Sequence, residues 1–242
     1  MSSMDEIVVG FPLYKDCTLL DFAGATQIFA PFTGAGFKPV WIAAAPGPVA
    51  TTEGVKVLPN YTFENAPKVD ILFMPGGGAG VADAMLDCKF IAQIQALAEH
   101  ATWVGSVCTG AFIIATAGLL NKHHATTYWS QLENLSLFPE IMVDVNSYPR
   151  ALIENNRFTG GGISSSIDLA LSLVEKIRGA QDPEAGKAMC QTVQLANQYA
   201  PHPPYNAGDP DEAPPEITAA LREAQAGFIQ VIREAVQKVI GN

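Results

Sequence analysis

The sequence predicts an α/β fold, an open and mostly parallel sheet with helices on both faces. Short apolar runs with β-branched residues alternate along the chain with segments of helical spacing. Some of those runs are apolar throughout, as strands buried on both faces are. Two of them end in small residues, and one passes at once into a helix, the kind of connection parallel strands require.

Residues 7–11 form the first apolar run and read as a buried strand. Residues 19–32 repeat apolar side chains at helical spacing, with Asp21 near the positive end of the helix. A second strand follows at 39–45, then a hairpin at 50–58 broken by Glu53-Gly54. Residues 69–74 are a buried strand ending in Pro75-Gly76-Gly77-Gly78, and 90–100 a helix. The strand 102–107 runs through Cys108-Thr109-Gly110 into a helix at 111–120. A short strand pair is expected at 142–145 and 150–154, turning near Asn155-Asn156. Residues 159–163 lead into a helix at 164–178, and Asp182-Pro183 opens another that runs to about Tyr199.

The stretch 199–215 holds six prolines without periodicity, a loop or linker. One amphipathic helix is expected at 216–240. The expected organisation is an α/β domain of residues 1–200, with the loop and helix of 201–242 lying on that same domain.

Composition narrows the function classes. Of 242 residues, 48% are hydrophobic and 16% charged, ample for a buried core and unlike a disordered chain. A net charge of −10 disfavours nucleic acid, whose phosphates call for a surplus of Lys and Arg. No apolar run is long enough for a membrane span, and the polar, acidic start is unlike a signal peptide. Cys17, Cys88, Cys108 and Cys190 lie far apart with no CxxC pair. The expectation is a cytoplasmic protein with reduced thiols, bound to neither membrane nor nucleic acid.

Gly105-Ser106-Val107-Cys108-Thr109-Gly110 carries the most chemistry. A strand stops, a nucleophilic side chain appears, and a helix begins. Ser106 and Gly110 are small, as the tight turn of a nucleophile elbow demands. The thiol would face a helix N-terminus, whose partial charge favours the thiolate. A structural cysteine is the alternative, because cysteine is often buried. The glycine run from Gly76 to Gly80 lacks the Walker and dinucleotide patterns. It is either a flexible turn or a set of backbone N–H groups forming an oxyanion pocket beside the thiol. Asp21 is either a helix cap or a functional carboxylate. His123 and His124 are consecutive and should point apart, and no metal site is expected. Asp168 reads as a capping or packing residue.

On these residues the chain resembles the PfpI/ThiJ-like superfamily. The resemblance spans Leu20-Asp21-Phe22-Ala23-Gly24, Met74-Pro75-Gly76-Gly77, Ser106 to Gly110, Ala125-Thr126-Thr127, and Thr159 to Ile163 with Ile167-Asp168. The string Tyr199-Ala200-Pro201-His202-Pro203-Pro204-Tyr205-Asn206-Ala207-Gly208 is similar to a loop of the isocyanide hydratase branch. The resemblance implies a flavodoxin-like fold, a homodimer, a small-molecule substrate and no cofactor. It also implies Cys108 as nucleophile, Asp21 as its acid/base partner, Thr109 beside the thiol, and backbone donors from Gly77 or Gly78. Tyr128, Gly161 and Ile163 are candidate pocket residues. Many relatives carry histidine in the region of Thr127-Tyr128-Trp129, so no Cys–His pair comes from this motif.

The implied activity is hydration of an isocyanide to its formamide by covalent cysteine catalysis. The alternatives are a glyoxal or aldehyde hydratase or deglycase, and a redox-sensing protein without turnover. A DNA-binding regulator fits the acidic charge poorly.

Overall fold

The computed structural model describes residues 6–241; the polar start, Met1 to Asp5, lies outside them. In chain order the elements are β1 (Ile7–Leu13), α1 (Leu19–Ile28), a 3₁₀ turn (Pro31–Thr33) and β2 (Phe37–Ala43). Then come β3 (Val49–Ala50), β4 (Lys56–Val57), β5 (Tyr61–Thr62) and β6 (Ile71–Met74). α2 (Gly80–Leu86), α3 (Cys88–Ala98), β7 (Trp103–Val107) and α4 (Gly110–Thr116) follow. After a 3₁₀ turn (Trp129–Gln131) come α5 (Leu132–Leu135), β8 (Ala151–Glu154), β9 (Arg157–Gly160) and α6 (Ser165–Arg178). The chain ends in α7 (Pro183–Ala196), α8 (Pro215–Ala224) and α9 (Ala226–Ile240).

Seven strands form one sheet in the order β5-β2-β1-β6-β7-β9-β8, parallel throughout except where β8 meets β9. This is the flavodoxin-like arrangement. The order reverses between β1 and β6, so their carboxyl ends flank a crevice of the kind that binds ligands in open α/β sheets. All four β6 residues are buried, as a central parallel strand requires. Phe73 stacks against Phe11 and Phe158, each with ring centroids 5.3 Å apart, and so ties β1, β6 and β9 together.

Several boundaries depart from the sequence reading for local reasons. α1 stops at Ile28, because Ala30 precedes Pro31 and is pushed into extended backbone. α4 stops at Thr116, two residues before Gly118 in the left-handed conformation. Residues 142–145 are not a strand. Only an isolated bridge joins Met142 to His124, and the Asp144 side chain accepts from Asn146 N–H to make a turn. The real hairpin pairs β8 with β9 across Asn155-Asn156. The helices α2 and α5 and the two-residue strand β5 have no counterpart in the sequence reading.

The tail is two helices, not one. The chain breaks at Gln225 (φ −90°, ψ 0°), separating α8, which buries nothing, from α9. Ile232, Ala235 and Val236 of α9 join the same buried cluster as the sheet residues. Among the described residues no helix is long and apolar enough to cross a membrane.

Candidate active site

β7 ends at Val107, and Cys108 sits in the turn before α4 with φ 53°. A left-handed conformation is uncommon for a residue with a side chain, so this turn is held by its surroundings. Cys108 N–H donates to the carbonyls of Gly160 (3.1 Å) and Gly161 (2.9 Å). The Thr127 hydroxyl donates to the Cys108 carbonyl at 2.8 Å. Space is equally constrained. A Cβ on Gly110 would stand 2.5 Å from the Met74 carbonyl, and one on Gly76 would lie 2.8 Å from Cys108 Cβ.

Asp21 lies in the first turn of α1 but does not cap it. The exposed Glu53, from the turn between β3 and β4, accepts the Leu19 N–H instead. The Asp21 side chain is fully buried, and its Oδ2 accepts the Gly76 N–H at 2.8 Å. Its Oδ1 is buried with no hydrogen-bond partner. Burial pushes the carboxyl well above its ordinary range, with Glu53 adding to the rise. The Gly76 N–H and the neighbouring Cys108 thiol work against it.

The Cys108 thiol is likewise pushed up, first by burial and then by the Asp21 carboxylate. N–H groups of Ile163 and Thr109, and the Thr109 hydroxyl, oppose that rise. Burial and the neighbouring carboxyl thus oppose the pull of the helix N-terminus toward the thiolate. A buried thiol and a buried carboxyl side by side keep at least one proton between them.

Thr109 Oγ1 stands 4.0 Å from Cys108 Sγ, donates to the Gly77 carbonyl at 2.9 Å and accepts the Gly77 N–H at 2.9 Å. The Gly78 N–H donates to the Asp16 carbonyl at 3.1 Å. Gly77 and Gly78 therefore spend their N–H groups inside the protein, and the expected oxyanion donors do not face open space here. The reason is tertiary: Thr109 and Asp16 arrive from distant parts of the chain.

The opposite side of the sulfur is built from the β9–α6 loop. Gly161 accepts from Cys108 N–H through its carbonyl and donates its own N–H to Arg150. Ile163 has φ 41°, a strained value for a β-branched residue, and its side chain is 41% exposed. Tyr128 is half-buried, with its ring against Gly162 and its hydroxyl accepting from Gln225 Nε2 at 2.8 Å. The sequence reading gave Glu53, Thr127 and Gln225 no part in the site, and it treated Ile163 only as wall. It also passed over Tyr14, a buried hydroxyl that donates to the Pro75 carbonyl and feels the charges of Asp21 and Cys108. No local pattern marks any of these roles.

His123 and His124 do not point apart, because both rings reach Glu154, at 3.5 Å and 3.0 Å. Among the described residues no group of three or more His, Cys, Asp or Glu could hold a metal ion. Asp168 pairs with Arg150 and accepts the Tyr199 hydroxyl at 2.8 Å, bracing the start of the proline-rich loop.

Residues 9–176 match the model of the DJ-1/PfpI family. A protein of Pseudomonas putida described as isonitrile hydratase is 34% identical over 230 residues, covering 95% of each chain. The regulator GbdR of Pseudomonas aeruginosa is 25% identical and shares 78% of this chain, which spans about half (52%) of that protein. A solved THiJ/PfpI family structure from Pseudomonas syringae superposes with TM-score 0.85 at 29% identity, covering 97% of this chain and 92% of its own.

Proposed function

The chain belongs to the DJ-1/PfpI family, and on that footing we propose that it hydrates isocyanides to N-substituted formamides through Cys108. The observation that carries this reading is the pairing of a nucleophile-elbow cysteine with a buried carboxyl whose Oδ1 has no partner. Support also comes from the similarity to an isonitrile hydratase along almost the whole chain.

The isocyanide carbon is electrophilic at its terminal position, and a thiolate is a strong, soft nucleophile. Cys108 Sγ bonds to that carbon while a proton from the Cys108–Asp21 pair is delivered to it, leaving a thioimidate. Asp21 then takes a proton from water as the water oxygen attacks the same carbon. Asp21 passes that proton to the nitrogen, the C–S bond breaks as the new hydroxyl gives its proton to the departing sulfur, and R–NH–CHO leaves with the thiol restored. One water is consumed, nothing is oxidised, and the step needs no cofactor. The raised carboxyl suits this cycle, since burial that favours its protonated form readies it to give a proton as well as to take one. Thr109 keeps the elbow tied to the β6 loop.

Purified protein incubated with a simple alkyl isocyanide should yield the formamide by NMR, and Cys108→Ala should yield none. Equal product from that variant would sink the reading. Methylglyoxal consumption in place of formamide would move the assignment to the aldehyde hydratases. The same reading includes a homodimer in solution, for which sedimentation is the check. The exposed Ile217 and Leu221 on α8 are open to such a contact.

A further inference from the structure

The C-terminal helices touch the 3₁₀ turn beside the site at consecutive residues. Gln225, at the break between α8 and α9, donates through Nε2 to the Tyr128 hydroxyl. Arg222 lies over the Trp129 ring, 5.1 Å from its centroid. Gln225 is part-buried, and its Oε1 is shielded from solvent with no hydrogen-bond partner, so the amide is committed to the phenol.

Tyr128 in turn meets the loop that flanks the sulfur. A Cβ on Gly162 would lie 2.4 Å from Tyr128 Cδ2 and 2.8 Å from Cε2, so ring and loop backbone are in direct contact. The loop is tied to the nucleophile turn, since the Gly161 carbonyl accepts the Cys108 N–H at 2.9 Å, and Ile163, next after Gly162, holds the strained φ of 41°. A β-branched residue keeps such a conformation only where its neighbours leave it no other. The ring closes one direction in which the turn could relax.

We propose that Tyr128 and Gln225 are a positioning pair, in which the tail fixes the phenol and the phenol braces the Gly162-Ile163 turn against the Cys108 sulfur. Neither residue touches the reacting atoms. Their effect is on how firmly the loop backbone is held against Cys108 as its sulfur takes up charge, since donors near a thiolate strengthen on ionisation. The inference rests on the reading of Cys108 as nucleophile, and it gives the C-terminal helices a part in the site although they lie outside the matched family segment.

The test measures alkylation of Cys108 by iodoacetamide across a pH series. Modification is followed at the Cys108 peptide by mass spectrometry, because Cys88 is exposed and will also react. Tyr128→Phe keeps the ring and removes the hydroxyl; Gln225→Leu removes the amide at similar size. Each should slow Cys108 alkylation at neutral pH by about three- to tenfold and move its pH midpoint upward. The double variant should be no slower than either single one, because both break the same contact. In the hydration assay kcat should fall while KM holds. Gly162→Ala, which drives a methyl into the ring, should slow alkylation in the same direction and should add little in a Tyr128→Leu background. Superimposable pH profiles for parent and folded Tyr128→Phe would overturn the proposal, as would additive slowing in the double variant. Alkylation needs no isocyanide, so a parent that makes no formamide but shows the expected shifts would fail the functional reading and leave this pair standing.

Discussion

Two walls flank Cys108, and they are built differently. The wall from α1 and the β6 loop is saturated but for Asp21 Oδ1: Gly76, Gly77 and Gly78 all donate inward, and Asp21 and Thr109 are fully buried. The wall from the β9–α6 loop is open: Ile163 is strained, part of its side chain meets solvent, and Tyr128 props its neighbour from behind. The first wall fixes where the proton-carrying carboxyl stands. The second adjusts how the sulfur is met. A reaction that moves protons through a carboxyl and charge through a sulfur benefits from rigidity on one side and compliance on the other.

The largest expected effects come from the groups between the walls. Cys108→Ala should lower formamide production by at least about a thousandfold, as loss of a nucleophile does. Asp21→Asn should lower it by about a hundredfold or more, the scale of general acid–base catalysis, with the circular dichroism spectrum unchanged. An Asp21→Asn enzyme at full rate would reduce the saturated wall to scaffolding.

Next come changes that damage the saturated wall itself. Thr109→Val leaves the Gly77 N–H and carbonyl without partners and should cost about 1–3 kcal/mol in denaturant unfolding. Gly76→Ala places a methyl 2.6 Å from the Thr109 nitrogen and 2.8 Å from Asp21 Oδ2, for about 1–3 kcal/mol and a loss of activity. On the open wall the effect on stability should be smaller. Ile163→Gly removes the strain and little buried surface, so unfolding should shift by no more than about 1 kcal/mol while activity falls. If Ile163→Gly destabilised as much as Gly76→Ala, the contrast between the walls would be gone.

The smallest effect is in pH. Burial raises the Asp21 carboxyl above its ordinary value of 3.8, so the folded protein binds that proton more tightly than the unfolded chain. Stability from this source is full below about pH 3.8 and drains away as pH climbs through the raised folded value. Asp21→Asn cannot ionise and should gain on the parent in melting temperature from mildly acid pH upward. Parallel curves would mean that Asp21 is not held neutral.

The strand-to-helix turn at Cys108 was legible because its signals are local: an apolar strand, a thiol, and small residues two positions either side. The central strands and α6 and α7 were legible for the same reason, with Asp182 capping α7 and Pro183 in its first turn. Asp21 was not separable from a cap, because its partner is the N–H of Gly76, 55 residues away. Only the resemblance gave it a chemical role. The donors of Gly77 and Gly78 were misjudged because what consumes them, Thr109 and Asp16, comes from other segments. The break at Gln225 left no trace, since glutamine is a good helix former and its reason to leave the helix is a phenol 97 residues away.

One feature of the tail reaches into biosynthesis. α9 lies against α2, α4 and α5 and completes their buried cluster, yet every strand of the sheet is made before it. On the ribosome the apolar face of α2, α4 and α5 therefore waits uncovered until α9 emerges. Such half-finished surfaces are where chains aggregate or recruit chaperones. A premature stop within α9 should accordingly produce insoluble protein, although every residue assigned to the chemistry would already have been translated.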